Sequence, residues 1–358
     1  MKLSATLTRV TALSAALLGV VCAAKITAFQ AAAPPPIQER LDRVKAELYS
    51  RTDRLDENVK ELKQILALDP RSADAHMLLG IAYSTWGSKE LKGEAIGEFR
   101  QALDLNPRLV QVRFFLAHLY LDLGRAARAR EELEAALVQT PGNPEFLALL
   151  GEAERQSKNP RRAVEVTRQA LQADPSFAPA RYYLGLALLD AGQRDEAIKE
   201  LEQVVRAGAP VADAYLSLGS AYNEAGRTVE AIETLSQGLR VDPAKSELHI
   251  ALARAYRAKG LLEKADAQLT LGRPAFAKAS AGKPNDRTSS SSADYPYQQV
   301  DLDFHLERGM VKLQRGQLAA AAEAFKKVLE LEPKHEAATR GLAEVNRRLA
   351  AKKPGGAR

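Results

Sequence analysis

Apolar residues return along this chain in a rhythm of four and three. Ala95-x3-Phe99-x2-Ala102-x4-Pro107 recurs as Ala129-x3-Leu133-x2-Ala136-x4-Pro141, as Ala231-x3-Leu235-x2-Gly238-x4-Pro243 and as Ala321-x3-Phe325-x2-Val328-x4-Pro333. Ala197-x3-Leu201-x2-Val204 keeps the code without its proline. Those spacings place the apolar residues on one face of a helix. A second pattern sits upstream of this code: Leu79-Gly80-x2-Tyr83, Leu184-Gly185 and Leu218-Gly219-x2-Tyr222. The small residue lets a second helix come close, and the large one beside it fills the remaining gap. Prolines at 107, 141, 175 and 243 lie 34 residues apart or a multiple of it; Asp or Asn precedes most of them, as in Asn106-Pro107, Asp174-Pro175 and Asp242-Pro243, and Asp69-Pro70 is alike. Proline ends the helix before it, while Asp or Asn favours the turn and can cap the next helix. The pattern predicts antiparallel helix pairs, none able to cover its own apolar stripe, stacked so that each is covered by its neighbour.

The predicted units are 39–72, 73–109, 110–143, 144–177, 178–211, 212–245, 246–279 and 302–335. The first is degenerate, with Asn58 where alanine usually sits, as expected of a terminal unit. The second holds three extra residues around Trp86, which reads as covering the lengthened turn, with a ligand anchor as the alternative. Residues 274–301, rich in Ala, Lys, Gly and Pro and including Ser289 to Ser292, read as a disordered insertion. A partner-binding loop or hinge using Tyr295 and Tyr297 is the functional alternative. The period therefore breaks after Gly272, and the array is expected to bend there or lose its end without unfolding the rest. Ala338, Leu342, Val345 and Leu349 then mark one face of a closing helix within 302–350, followed by a basic tail at 351–358.

These residues resemble the signature of the tetratricopeptide repeat family over about 39–275 and 302–335. The resemblance implies an all-α, right-handed α-solenoid of antiparallel helix hairpins that binds a protein or peptide in its concave groove. It further implies that the second, fifth, ninth, twelfth and thirteenth positions of each first helix face that groove. Here those include Met77, Ile81, Ser84, Phe114, His118, Glu152, Arg155, Tyr182, Leu186, Asn223, Glu224, Arg254 and Arg257. Aromatic anchors would supply binding energy and polar neighbours register. Packing between units is the competing role for Phe114 and Tyr182. One subfamily grips a chaperone's terminal carboxylate with Lys and Asn at the fifth and ninth positions. Met77 and Ile81, then Phe114 and His118, replace that clamp here.

Charge adds little to this picture and the N-terminus adds more. The formal charge of +6 drops to +4 without residues 1–24, and acids and bases alternate along most of the rest, which argues against a nucleic-acid partner. Residues 1–24 read as a secretory signal. Lys2 and Arg9 precede an uncharged run from Val10 to Ala24, which ends in the small residues Cys22-Ala23-Ala24. The expected location is periplasmic or secreted. The alternative is membrane attachment through an uncleaved signal, while lipidation of Cys22 fits poorly because Val21 precedes it. Residues 25–38, with Pro34 to Pro36, read as a flexible spacer. Cys22 is the only cysteine, so no intrachain disulfide exists, and the five histidines form no metal-binding motif. No phosphate loop or nucleophile elbow occurs either. Helix-surface pairs such as Glu202 with Arg206 and Glu131 with Arg128 read as solvated. The sequence thus points to a non-catalytic scaffold of a bacterial envelope or secretion assembly, with no cofactor, metal or small-molecule substrate. A structural spacer or self-assembling array is one alternative, and a regulatory subunit of a separate enzyme is another.

Overall fold

The computed structural model describes residues 35–50, 54–86, 89–208, 211–272 and 295–352. Residues 1–34, most of the expected insertion (273–294), the end of the basic tail (353–358) and the side chains of Trp86, Tyr295 and Tyr297 lie outside that description. Among the described residues every regular element is a helix, and the chain divides into two compact units between Asn106 and Pro107.

The first unit holds α1 (Ile37–Ser50), α2 (Leu55–Leu68), α3 (Ala73–Trp86) and α4 (Lys89–Leu105). Each packs on the next, and α1 also touches α3. Leu41, Val44, Leu62, Ile65, Leu78, Leu79 and Phe99 form its buried face. Gly80 lets the Phe99 ring come so near that a Cβ there would sit 2.6 Å from it. The degenerate first hairpin buries polar groups instead: Arg40 donates to Glu61 at 2.8 Å, and Asn58 is 3% exposed with its Nδ2 unpartnered.

The second unit is a run of hairpins. It comprises α5 (Val110–Asp122) with α6 (Ala126–Gln139), α7 (Pro144–Gln156) with α8 (Pro160–Ala173), and α9 (Ala178–Asp190) with α10 (Arg194–Arg206). It continues through α11 (Ala212–Glu224) with α12 (Thr228–Val241), α13 (Ser246–Ala258) with α14 (Leu262–Leu271), and α15 (Tyr295–Gln314) with α16 (Leu318–Leu331), to a closing α17 (Glu336–Lys352). Second helices such as α8 show one apolar stripe, made by Ala163, Val164, Val166, Thr167 and Ala170. First helices such as α5 are apolar nearly all round, because each is packed between its own partner and the next hairpin. The Leu-Gly code and the Ala-x3-Leu code meet inside each pair: a Cβ on Gly219 would fall 2.4 Å from Leu235.

Two kinds of turn alternate. Within most hairpins the first helix ends on a glycine at positive φ. At Gly192 the N–H bonds Leu189 O at 3.0 Å and the next N–H, of Gln193, bonds Leu188 O at 2.8 Å, which satisfies the free carbonyls of the helix end. Between hairpins, the aspartate of Asp-Pro donates its backbone N–H to a carbonyl of the last helical turn, as Asp174 does to Ala170 O at 2.9 Å, and its side chain then accepts from the backbone two residues ahead. Asp174 Oδ1 accepts from Ser176 N at 2.8 Å, and Asp242 Oδ1 from Ala244 N at 3.0 Å. Asp174 and Asp242 therefore make turns rather than capping the next helix. Where a side-chain cap exists it comes later, as when Asn143 Oδ1 accepts from Glu145 N and Phe146 N.

The structure departs from the expected domain limits at one place that matters. Residues 295–301, expected to belong to the disordered insertion, are the start of α15. The stack is also unbroken there, since α15 packs on both α13 and α14. Ile250, Ala253, Ala265 and Leu269 close over Phe304 and Val311. At the far end, Ala338 and Val345 are buried and Leu342 is partly buried as expected of a closing helix, whereas Leu349 is exposed.

Candidate functional site

Consecutive first helices of the second unit touch one another: α5 with α7, α7 with α9, α9 with α11, α11 with α13. Residues at matching positions on them therefore form one continuous face. On α5, the half-buried Phe114 ring meets His118 edge-on at 4.6 Å and the Phe146 ring of α7 at 5.5 Å. His118 is surface-exposed, yet loss of water around its ring holds the imidazole below its ordinary value, with Asp122 pulling the other way. On α9, the Tyr182 and Tyr183 rings lie 5.7 Å apart. Burial raises the Tyr182 phenol above its ordinary range, and a bond with Ser217 on α11 partly offsets this. Burial, then the charge of Glu152, pushes Tyr183 up to about 12. Leu186 is half-buried on the same helix.

The polar residues of this face are tied to each other. Glu152 is buried and receives a two-pronged bond from Arg155, at 2.7 and 2.8 Å, and a third from Gln156 at 2.9 Å. The remaining arm of Arg155 reaches Asp190 on α9 at 3.0 Å. The guanidinium is thereby held charged more firmly than usual, first by its bonds to Glu152. Asn223 donates to the Ala251 carbonyl of α13 at 3.1 Å, which leaves its buried Oδ1 without a partner. Glu224 pairs with Arg194 at 3.1 Å.

The expected groove residues divide into three groups. Phe114, His118, Arg155, Tyr182, Leu186 and Asn223 lie on neighbouring first helices of the second unit. Arg254 and Arg257 are there too, but both are engaged by Glu307 of α15, Arg254 at 3.6 Å and Arg257 through a two-pronged pair. Met77 and Ile81, expected to face a groove, are instead buried at 6% and 8% exposure. Apolar side chains gain more by leaving water than by facing it. Ser84 of the same helix donates to its own backbone at Ile81 O, 2.8 Å away.

Glu307 was missed by sequence reasoning, as was Asp266, which receives Lys312 at 2.8 Å and also pairs with Arg315. The signal for Glu307 was a carboxylate three or four residues from Phe304, Met310 and Val311, and so on an apolar side of its helix. Phe146 and Tyr183 were overlooked because each lies beside, rather than on, an expected groove position.

Among the described residues no group of three or more His, Cys, Asp or Glu is placed to hold a metal, and no helix is long and apolar enough to cross a membrane. Two profiles described as tetratricopeptide repeat match the sequence. One matches residues 148–192, 182–243 and 306–353, and the other 93–153 and 222–283, so that together they cover most of the chain. No curated protein matches it. Among solved structures, a chain of the APC/C hetero-tetramer Cut9–Hcn1 is similar with a TM-score of 0.58 at 15% identity, over 83% of this chain and 54% of that one. This protein thus spans little more than half of that relative's length. PilF of Pseudomonas aeruginosa is similar with a TM-score of 0.51 at 18% identity, over 68% of this chain and 97% of its own. At such identities the likeness concerns the fold.

Proposed function

Since the chain belongs to the tetratricopeptide repeat family and is a scaffold for protein–protein interaction, we propose that its working surface is the first-helix face of α5, α7, α9 and α11. The occupant is an extended peptide or a partner's helix. The observation that carries this reading is the half-buried Phe114 of α5 and the half-buried Tyr182, Tyr183 and Leu186 of α9 on either side of α7, which touches both helices and holds Glu152 and Arg155 of the fixed Glu152–Arg155–Asp190 network. Large amphipathic rings offer area with little conformational entropy to lose, and a charge network that is already ordered costs little to bind against. The role is non-catalytic. The place of work is the bacterial envelope, reached through the signal-like residues 1–24.

Cross-linking in the native organism, followed by recovery with Tyr182→Ala and Leu186→Ala variants, tests the reading. Partner recovery is expected to fall on the order of tenfold for an anchor at the centre of an interface. Unchanged recovery from a folded double variant excludes this face. Fractionation that finds the protein in the cytosol with its first 24 residues intact excludes the envelope assignment.

A second reading, a structural spacer, is favoured by the tying of Arg155, Asn223, Arg254 and Arg257 to internal partners. It predicts that the same double variant changes nothing while shortening the array does.

A further inference from the structure

We propose that the edge formed by the α5–α6 and α7–α8 turns is an anion-binding surface, distinct from the first-helix face, that takes an acidic polypeptide segment of a partner.

The first observation is an exception in the turns. Every other hairpin of the second unit reverses direction through glycine at positive φ: Gly124, Gly192, Gly226, Gly260 and Gly316. The α7–α8 turn instead holds Lys158 at φ 64, the one non-glycine residue in that region among those described. Glycine would adopt this conformation freely, whereas an L side chain does so at a steric cost. Lys158 is exposed, so packing does not explain its presence.

The second observation is the charge around it. Helix N-termini carry positive partial charge and favour acids. Three later second helices obey: α10 opens with Asp195 and Glu196, α12 with Glu230 and α14 with Glu263, while α16 opens with neither acid nor base. Helices α6 and α8 have no acid in their first turn. They present Arg125 and Arg128, then Arg161 and Arg162. These two turns share an edge, because α5 packs alongside α7, and Arg162 feels the Glu134 carboxylate of α6 as well as its own bonded neighbour Glu165.

The third observation is pairing. The arginines of the later turns are satisfied, Arg194 by Glu224, Arg227 by Glu230 and Arg315 by Asp266, and Lys259 is a single exposed cation of the α13–α14 turn. Arg128 and Arg162 have Glu131 and Glu165. Arg125, Lys158 and Arg161 are exposed and make no ion pair among the described residues. Two adjacent turns therefore concentrate unneutralised cations where the fold itself disfavours them.

A carboxylate-bearing polypeptide is the partner that fits. Guanidinium forks match carboxylates in a two-pronged way. A membrane surface would call for apolar anchors, and a nucleic acid strand for stacking aromatics. Among the described residues neither turn exposes a large apolar or aromatic side chain.

The experiment titrates the full-length protein with a fluorescent oligo-glutamate peptide and follows anisotropy as NaCl is raised. Wild type is expected to bind in a salt-sensitive manner, and the R125E/R161E variant to bind on the order of tenfold more weakly. K158G should weaken binding several-fold while raising the melting temperature, because glycine relieves the turn. That gain in stability separates loss of binding from loss of fold. R240E, which reverses an exposed charge on α12, should leave the affinity unchanged. The proposal is overturned if wild type shows no salt-sensitive binding or if R125E/R161E matches it. It is likewise overturned if R240E weakens binding equally, or if phosphatidylglycerol vesicles or duplex DNA bind more tightly than the peptide at the same salt.

Discussion

The joint between the α11–α12 and α13–α14 hairpins and the joint between α13–α14 and α15 join the same kind of unit by different physics. At the first, the short Asp242-Pro243 turn delivers the next helix directly, and Leu218, Tyr222, Leu235, Leu248, Leu252 and Ala255 close into one apolar cluster. The second spans Arg273 to Asp294 in sequence before α15 begins at Tyr295. Its apolar cluster of Ile250, Ala253, Leu269, Phe304 and Val311 is supplemented by Glu307, 3% exposed, between Arg254 and Arg257, and by Asp266 between Lys312 and Arg315. A longer connection leaves more conformations to be lost on docking. Charges that accept only one pairing geometry then specify register where a short turn no longer does. The first joint has a short turn and one ion pair, Lys245 with Asp213 at 3.0 Å, whereas the second has a long connection and the two carboxylates Glu307 and Asp266, each between two cations.

The strongest way to break this contrast is Glu307→Ala, which leaves Arg257 in a half-buried site without its carboxylate. We expect a loss of about 3 kcal/mol, as for breaking a buried pair. Hydrogen exchange should show it as opening of residues 295–352 while residues 110–241 stay protected. Uniform exchange along the second unit would show that the joint is not a separate point of weakness. Next in size is Gly219→Ala, which drives a methyl into Leu235 inside the α11–α12 hairpin that feeds the regular joint and should cost about 2 kcal/mol of overpacking. Thermal unfolding measures it. No change in melting temperature would mean that the close approach of α11 and α12 is not a tight constraint.

Alkaline pH sharpens the comparison from another side. Tyr222 donates to Glu202 at 2.6 Å, and burial followed by that bond pushes its phenol up to about 12, as burial does for Tyr183. Both folded values lie above the ordinary 10, so the neutral phenols stabilise the fold fully below pH 10. That contribution is lost as pH rises through about 12. Melting temperature should fall across this window. Tyr222→Phe should lower stability by about 1 kcal/mol at neutral pH and flatten the alkaline fall. A wild-type curve level from pH 10 to 12 would contradict this. The smallest effect belongs to Asp266→Asn, about 0.5 kcal/mol at low ionic strength and less in added salt. Denaturant midpoints at two salt concentrations measure it, and a salt-independent difference would point to packing instead.

Much of the local architecture was legible because it depends on near neighbours in sequence. The 4-3 spacing, the Leu-Gly pair and the turn prolines each act within a few residues, and Gly80 against Phe99 or Gly219 against Leu235 follows from them at a separation the repeat itself sets. In the candidate site the repeat placed Phe114, Arg155 and Tyr182 on successive first helices, but did not reveal their neighbours Phe146, Asp190 and Tyr183. Met77 and Ile81 show the limit of that reasoning, because position within a repeat does not reveal whether a side chain ends up covered. Glu202 shows another: expected to be a solvated partner of Arg206, it also receives the Tyr222 hydroxyl from the next hairpin.

The amino-acid sequence by itself determined the helices, their pairing and the 34-residue stacking, since periodicity and turn chemistry are properties of short stretches of chain. Only the tertiary structure decided that α15 packs on α13 and α14, that Glu307 engages Arg254 and Arg257, and that Arg125, Lys158 and Arg161 have no ion-pair partner among the described residues. These depend on which side chains meet across hairpins. Charge pairing acts over ångströms in space, and neither residue type nor spacing along the chain encodes that distance.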